Sequence, residues 1–125
     1  MYTTLLVGTS KGLLILSNKN ATWKIRGVQF EGLQVSMIYI DDRTNTWWVG
    51  ISHRHWGEKL HHSNNEGKSW QEVTGPNYGE HLYRPGKPAT LRKLWVIRQA
   101  GEDKPGGLWL GTEPGGLFSI ICAVK

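Results

Sequence analysis

Ser63-Asn64-Asn65-Glu66-Gly67-Lys68-Ser69-Trp70 reads as the end of one strand, a tight turn and the start of a returning strand. The short polar side chain of Asn65 can hydrogen-bond backbone N–H groups ahead of it. Gly67 supplies a positive φ without steric cost, and Trp70 can turn back to pack. Together these are the parts of a self-stapled hairpin turn. Lys59-Leu60-His61-His62-Ser63 leads into it and Trp70-Gln71-Glu72-Val73 leaves it.

The same pattern lies on both sides of this turn. Upstream, Thr4-Leu5-Leu6-Val7-Gly8-Thr9 is a β-rich run, Ser10-Lys11-Gly12 a turn and Leu13-Leu14-Ile15-Leu16-Ser17 a second strand. Asn18-Lys19-Asn20 then turns the chain into a short third strand, Thr22-Trp23-Lys24-Ile25. In the middle, Val35 to Ile40 alternates and passes through Asp41-Asp42-Arg43-Thr44-Asn45 into Thr46-Trp47-Trp48-Val49-Gly50-Ile51-Ser52. Downstream come Leu94 to Arg98, a polar turn at Glu102-Asp103-Lys104-Pro105-Gly106, Gly107 to Thr112, and Gly115-Gly116-Leu117-Phe118-Ser119. Val7 to Leu13 aligns with Leu110 to Leu117 with one extra residue in the second, which makes an internal repeat. Gly8, Gly50 and Gly111 mark the same position in the three copies, and the longer interval absorbs the loop from Gly75 to Thr90.

The turn resembles the Asp-box of BNR repeats, written Ser-x-Asp-x-Gly-x-Ser/Thr-Trp, through Ser63, Asn65, Gly67, Ser69 and Trp70, with Asn65 where the usual residue is Asp. The box is a structural device in that family, so the resemblance implies a fold more than a reaction. The implied fold is the β-propeller of sialidase-like and WD40/YVTN-like repeat proteins: all-β, in four-stranded antiparallel blades. On that reading residues 1–125 form a single propeller-like domain with a partial blade at 3–25, a blade at 35–73 and a partial blade at 94–121, about two and a half blades in all.

Propeller blades take roughly 40–50 residues each, so one chain of 125 residues forms an incomplete ring. Beyond Phe118 the family pattern would run into another box, whereas this chain reads Ser119-Ile120-Ile121-Cys122-Ala123-Val124-Lys125. Three readings stand: a protein that assembles with copies of itself, a piece of a longer propeller, or a smaller twisted-sheet fold. The apolar stretch from Ile120 to Val124 is either an intermolecular strand or a terminal edge strand.

Sixteen Gly, seven Trp and five Pro suit a turn-rich all-β chain, and no window gives a convincing helix. The net charge of +5 comes from scattered Lys and Arg and reads as a solvated surface. Cys122 is the single cysteine and cannot form an internal disulfide; Met1-Tyr2-Thr3-Thr4 lacks a signal-peptide pattern. A cytoplasmic, soluble protein with no membrane association is therefore expected.

A sialidase-like active site would need an arginine cluster, a Tyr/Glu nucleophile pair and an Asp acid at the propeller centre. The nearest arginine motif, Tyr83-Arg84-Pro85-Gly86, lies after the box and reads as a turn, so no catalytic residue is assigned. Asp41, Asp42, Glu102 and Asp103 fall in expected outer turns, where solvated acids belong. His53-Arg54-His55 puts two imidazoles on one face if extended, with His61, His62 and His81 elsewhere. Without Cys or carboxylate at a ligand spacing, neither a metal nor a cofactor is expected.

The candidate ligand-binding residues are His53, Arg54, His55 and Trp56, in a loop of the most complete repeat. Their aromatic-plus-cation mixture suits a carbohydrate or an anionic small molecule. Trp47, Trp48, Trp95 and Trp109 lie inside strands and read as packing residues, with Trp23 and Trp70 at equivalent box ends. Basic residues are not interleaved with loop aromatics, which speaks against nucleic acid. The expected function is a non-enzymatic scaffold or ligand-binding module that assembles with further blades, copies of itself foremost. The alternative is a sialidase-like glycoside hydrolase completed by other blades.

Overall fold

Runs of β-branched and aromatic residues punctuated by Gly, Asn and Asp dictate short antiparallel strands, and the computed structural model consists of them. It describes residues 3–73, 76, 78, 82–88, 90–104 and 106–121. The first sheet holds β1 (Thr3–Thr9), β2 (Gly12–Lys19) and β3 (Thr22–Gln29) in that order. The second holds β4 (Gln34–Asp41), β5 (Thr46–His53), β6 (Gly57–Ser63) and β7 (Gln71–Val73). A small hairpin of β8 (Leu82–Arg84) and β9 (Lys87–Pro88) follows, turning at Pro85 and Gly86. The third sheet holds β10 (Lys93–Gln99), β11 (Gly107–Glu113) and β12 (Gly116–Ile121). Every pairing is antiparallel. The described residues include no helix and do not close a ring.

The β2–β3 turn is made by Asn20 and Ala21, both at positive φ (54° and 64°). Such a pair twists the chain in the sense that the flanking strands need. Past Ile25 the strand does not stop as its sequence suggests. It continues to Gln29, pairing Gly27 with Ile15 and Val28 with Leu14 after a register shift at Ile15/Leu16. The bulge breaks the alternation that would have announced those residues.

The second sheet lies between the other two and is covered on both faces. Adjacent strand residues point to opposite faces, so the consecutive Trp47 and Trp48 serve two cores. Trp47, Val49 and Ile51 pack with Leu13 and Ile15 of the first sheet. Trp48, Met37 and Leu60 pack with Leu94, Ile97, Leu108 and Leu110 of the third. Fully burying side chains of this size contributes roughly 1.5–3 kcal/mol each.

Two sequence expectations are corrected here. Asp41 is not a solvated turn residue: it is 1% exposed and takes part in a clasp between sheets. Arg43 donates from its backbone N and Nε to Asp41 Oδ1 (3.0 and 3.1 Å) and from Nη2 to Oδ2 (3.0 Å). It also donates to the carbonyls of Ala100 (3.2 Å) and Gly107 (2.9 Å) at the edge of the third sheet. Trp95 and Trp109, expected to pack between blades, are 56% and 37% exposed. Trp109 lies on the face of the third sheet turned away from the second, and Trp95 sits in a bulge of β10. Lys104 and Lys93 respectively lie over their rings.

Candidate functional site

The box turn is built as a closed hydrogen-bond network. Ser63 Oγ accepts from the N–H of Gly67 (2.9 Å) and of Asn65 (3.3 Å) and donates to Asn65 Oδ1 (2.8 Å). Asn65 Oδ1 also accepts from Ser69 N–H (2.9 Å), while its Nδ2 donates to Ser69 Oγ (2.7 Å). Gly67 has φ 84°, and a Cβ there would come within 3.1 Å of both Ile15 and Trp47. Trp70 packs on Phe30 with ring centroids 4.9 Å apart. These five residues stand together and fasten the turn against the first sheet. Beside it, a cleft of about 360 Å³ is lined by Ile15, Arg26, Gln29, Glu66 and Lys68.

At the opposite end of β5 and β6 lies the His53–Trp56 loop. His53 Nδ1 accepts hydrogen bonds from the backbone N–H groups of His55 (3.0 Å) and Trp56 (3.2 Å), so this segment is a turn, not an extended strand. The His53 ring sits 6.0 Å from that of His55 and 6.1 Å from that of Trp56. The fold thus gathers the three rings by local bonding, and Trp56 stands 72% exposed at the tip. With Nδ1 occupied as an acceptor, the neutral His53 ring carries its proton on Nε2 and offers a donor outward.

Next to this loop lies a polar cluster that the sequence reading missed. Glu58 hydrogen-bonds with Ser52 Oγ and accepts from Ser36 Oγ (3.5 Å). Burial between the second and third sheets raises its carboxyl above the ordinary value, against hydrogen bonds from Ser52 and Ser36 and the charge of Lys93. The available signal is strand alternation. Glu58, Leu60 and His62 share one face, and Ser52, Gly50 and Trp48 lie opposite them in the register, on the face turned to the third sheet.

His61 and His62 are not brought to this loop. His61 packs on Phe30 (5.0 Å) and His62 on Trp48 (5.1 Å), on opposite faces of β6, and burial lowers the pKa of both. His81 and Cys122 lie outside the described residues. Arg84 leads into the Pro85-Gly86 turn. Among the described residues no group of three or more His, Cys, Asp or Glu is placed to hold a metal ion. No described helix is long and apolar enough to cross a membrane. No protein-family model and no curated protein sequence matches the chain.

Proposed function

We propose that this chain is a non-enzymatic scaffold or ligand-binding module of the β-propeller type, a short arc of blades that assembles with further blades, copies of itself foremost. One observation carries the reading. The middle sheet is buried on both faces, whereas among the described residues nothing covers one apolar face of each outer sheet. On the first sheet Leu5, Ile25 and Val28 are exposed, and on the third Val96, Trp109 and Leu117. Faces of this kind favour association over solvation. The resemblance of the Ser63–Trp70 turn to the Asp-box supports the propeller form, and the loop with Arg54 and Trp56 is the surface offered to a carbohydrate or anionic ligand. Sedimentation velocity on the whole chain tests the assembly. A discrete species heavier than the 14.1 kDa chain is expected, and a 14.1 kDa monomer at every concentration contradicts it.

Glu58 favours a second reading, a sialidase-like glycoside hydrolase whose active site is completed by other blades. A carboxyl with a raised pKa suits the glutamate of the Tyr/Glu nucleophile pair, which takes the tyrosine's proton. The tyrosine, the Asp acid and the arginine cluster would come from outside this cluster. If this reading holds, the assembled protein cleaves an aryl sialoside and Glu58→Gln abolishes the cleavage. No turnover by the assembled wild type contradicts it.

A further inference from the structure

The two uncovered faces correspond to the two sides of a contact that the chain already makes twice, except that among the described residues the first sheet has no strand equivalent to β4 and β10. The repeat glycines fix the comparison. In β1, Leu6 and Gly8 face the second sheet, where a Cβ on Gly8 would lie 2.7 Å from Val35 Cγ1. In β5, Trp48 and Gly50 face the third sheet, where a Cβ on Gly50 would lie 3.4 Å from Leu94 Cδ1. Val35 and Leu94 are themselves equivalent: each precedes a register shift, and each pairs with the residue after the repeat glycine, Val35 with Ile51 and Leu94 with Thr112. The corresponding residues of β11 are Trp109 and Gly111, and they lie on the uncovered face of the third sheet.

The other half follows the same rule. Trp47 and Val49 of β5 pack back on the first sheet, and Leu108 and Leu110 of β11 pack back on the second. Their equivalents in β1 are Leu5 and Val7, which stand outside both cores. Across the ladder Leu5 pairs with Leu16 and Leu16 with Ile25; Val7 pairs with Leu14 and Leu14 with Val28. The result is an apolar surface three strands wide. One end of the stack therefore carries the forward face of the repeat and the other end the backward face.

We infer that the uncovered face of β10–β12 in one copy of this chain docks on the uncovered face of β1–β3 in a second copy, head to tail, meeting the β1 equivalents of Trp47 and Val49 but no equivalent of the β4 and β10 strands that the internal contacts also use. This rests on the assembly reading above and adds the surface and its polarity. A contact between two different patches is heterologous: each copy keeps one free half after the first union, so association continues, into a ring where the rotation closes and into an open filament where it does not. A two-fold dimer would instead pair like faces, which the repeat never does within the chain.

Two variants of the full chain separate the cases. Leu5→Glu/Ile25→Glu spoils the first-sheet face and Trp109→Glu/Leu117→Glu spoils the third-sheet face; circular dichroism checks that each folds. Light scattering is expected to give 14.1 kDa for each variant alone and twice that mass for their equimolar mixture, because each retains the half that the other lacks. If either variant dimerises alone, or neither reduces the wild-type mass, the head-to-tail junction is wrong while self-assembly stands. If the wild type is monomeric at every concentration, self-assembly and the junction fail together. Should a double variant not fold, Ile25→Lys and Leu117→Lys are used in the same mixing scheme. These side chains are 64% and 70% exposed, so the single changes do not disturb the cores.

Discussion

Gly8 lies flat against Val35, and a Cβ on the glycine would stand 2.7 Å from Val35 Cγ1 and 3.0 Å from Ile38 Cδ1. That spacing is shorter than any ordinary carbon–carbon contact, so even a methyl group forces β1 and β4 apart. Overpacking of this kind costs about 1–3 kcal/mol. Gly8→Ala is expected to lower the urea midpoint by that amount of stability with an unchanged slope. An unaltered midpoint would show that the first sheet is not seated on the second at this glycine.

The Asp41–Arg43 clasp joins the second sheet to the third. Removing the carboxylate strips Arg43 of three hydrogen bonds that Asp41 accepts and frees the side chain that reaches Ala100 and Gly107. Asp41→Ala is expected to cost about 2 kcal/mol, the middle of the range for a broken buried hydrogen-bond set. Amide exchange should accelerate at Ala100 and Gly107, whose N–H groups are bonded to Gly107 O and Lys104 O. Loss of stability without faster exchange there would assign the clasp to the turn alone.

Asn65 stands where the Asp-box that this turn resembles has Asp, and the geometry says why either works. Its Oδ1 accepts from Ser63 Oγ and Ser69 N–H, which an Asp oxygen can do equally. Only the bond from Nδ2 to Ser69 Oγ depends on the amide, and the hydroxyl can reverse to donate to a carboxylate. Asn65→Asp is expected to change stability by less than about 0.5 kcal/mol. Asn65→Ala removes all three bonds and is expected to cost about 1–2 kcal/mol in thermal or chemical unfolding.

What the sequence disclosed and what it hid divide along physical lines. Hairpin turns, the Ser63–Ser69 turn network and the β-rich run of β5 are local, set by Gly, Asn and strand propensity, and were readable from residues alone. Asp41 was not. In sequence it sits with Asp42 in a polar turn, and its burial is made tolerable by Arg43, which bonds it and is itself held by the Ala100 and Gly107 carbonyls of the third sheet. Trp109 was misread for the converse reason. Its strand position is the one that buries Trp48, but among the described residues no further sheet covers it. Glu58 escaped because a charged residue at a strand end looks solvated until the third sheet closes over it.

The partly buried histidines His61 and His62 make stability depend on pH with a definite sign. Burial lowers the pKa of His61 and His62 from 6.5, so the unfolded chain binds more protons than the folded one as pH falls through that value. Their contribution is complete above pH 6.5 and is lost progressively below it. His61 Nδ1 is buried with no hydrogen-bond partner, so a proton placed there finds no acceptor. Thermal unfolding is expected to show a melting temperature that falls below pH 6.5, and His61→Gln to flatten that fall. An unchanged slope in the variant would exclude His61 as its source.

The central claim is that the three stacked sheets are an arc whose open faces are covered by further blades. Small-angle scattering on the self-assembled chain over a concentration series tests it most directly. The account predicts a closed particle, with one radius of gyration at all concentrations above assembly and a distance distribution that shows a hollow centre. A radius that matches the single chain throughout, or one that grows without limit as concentration rises, would contradict it.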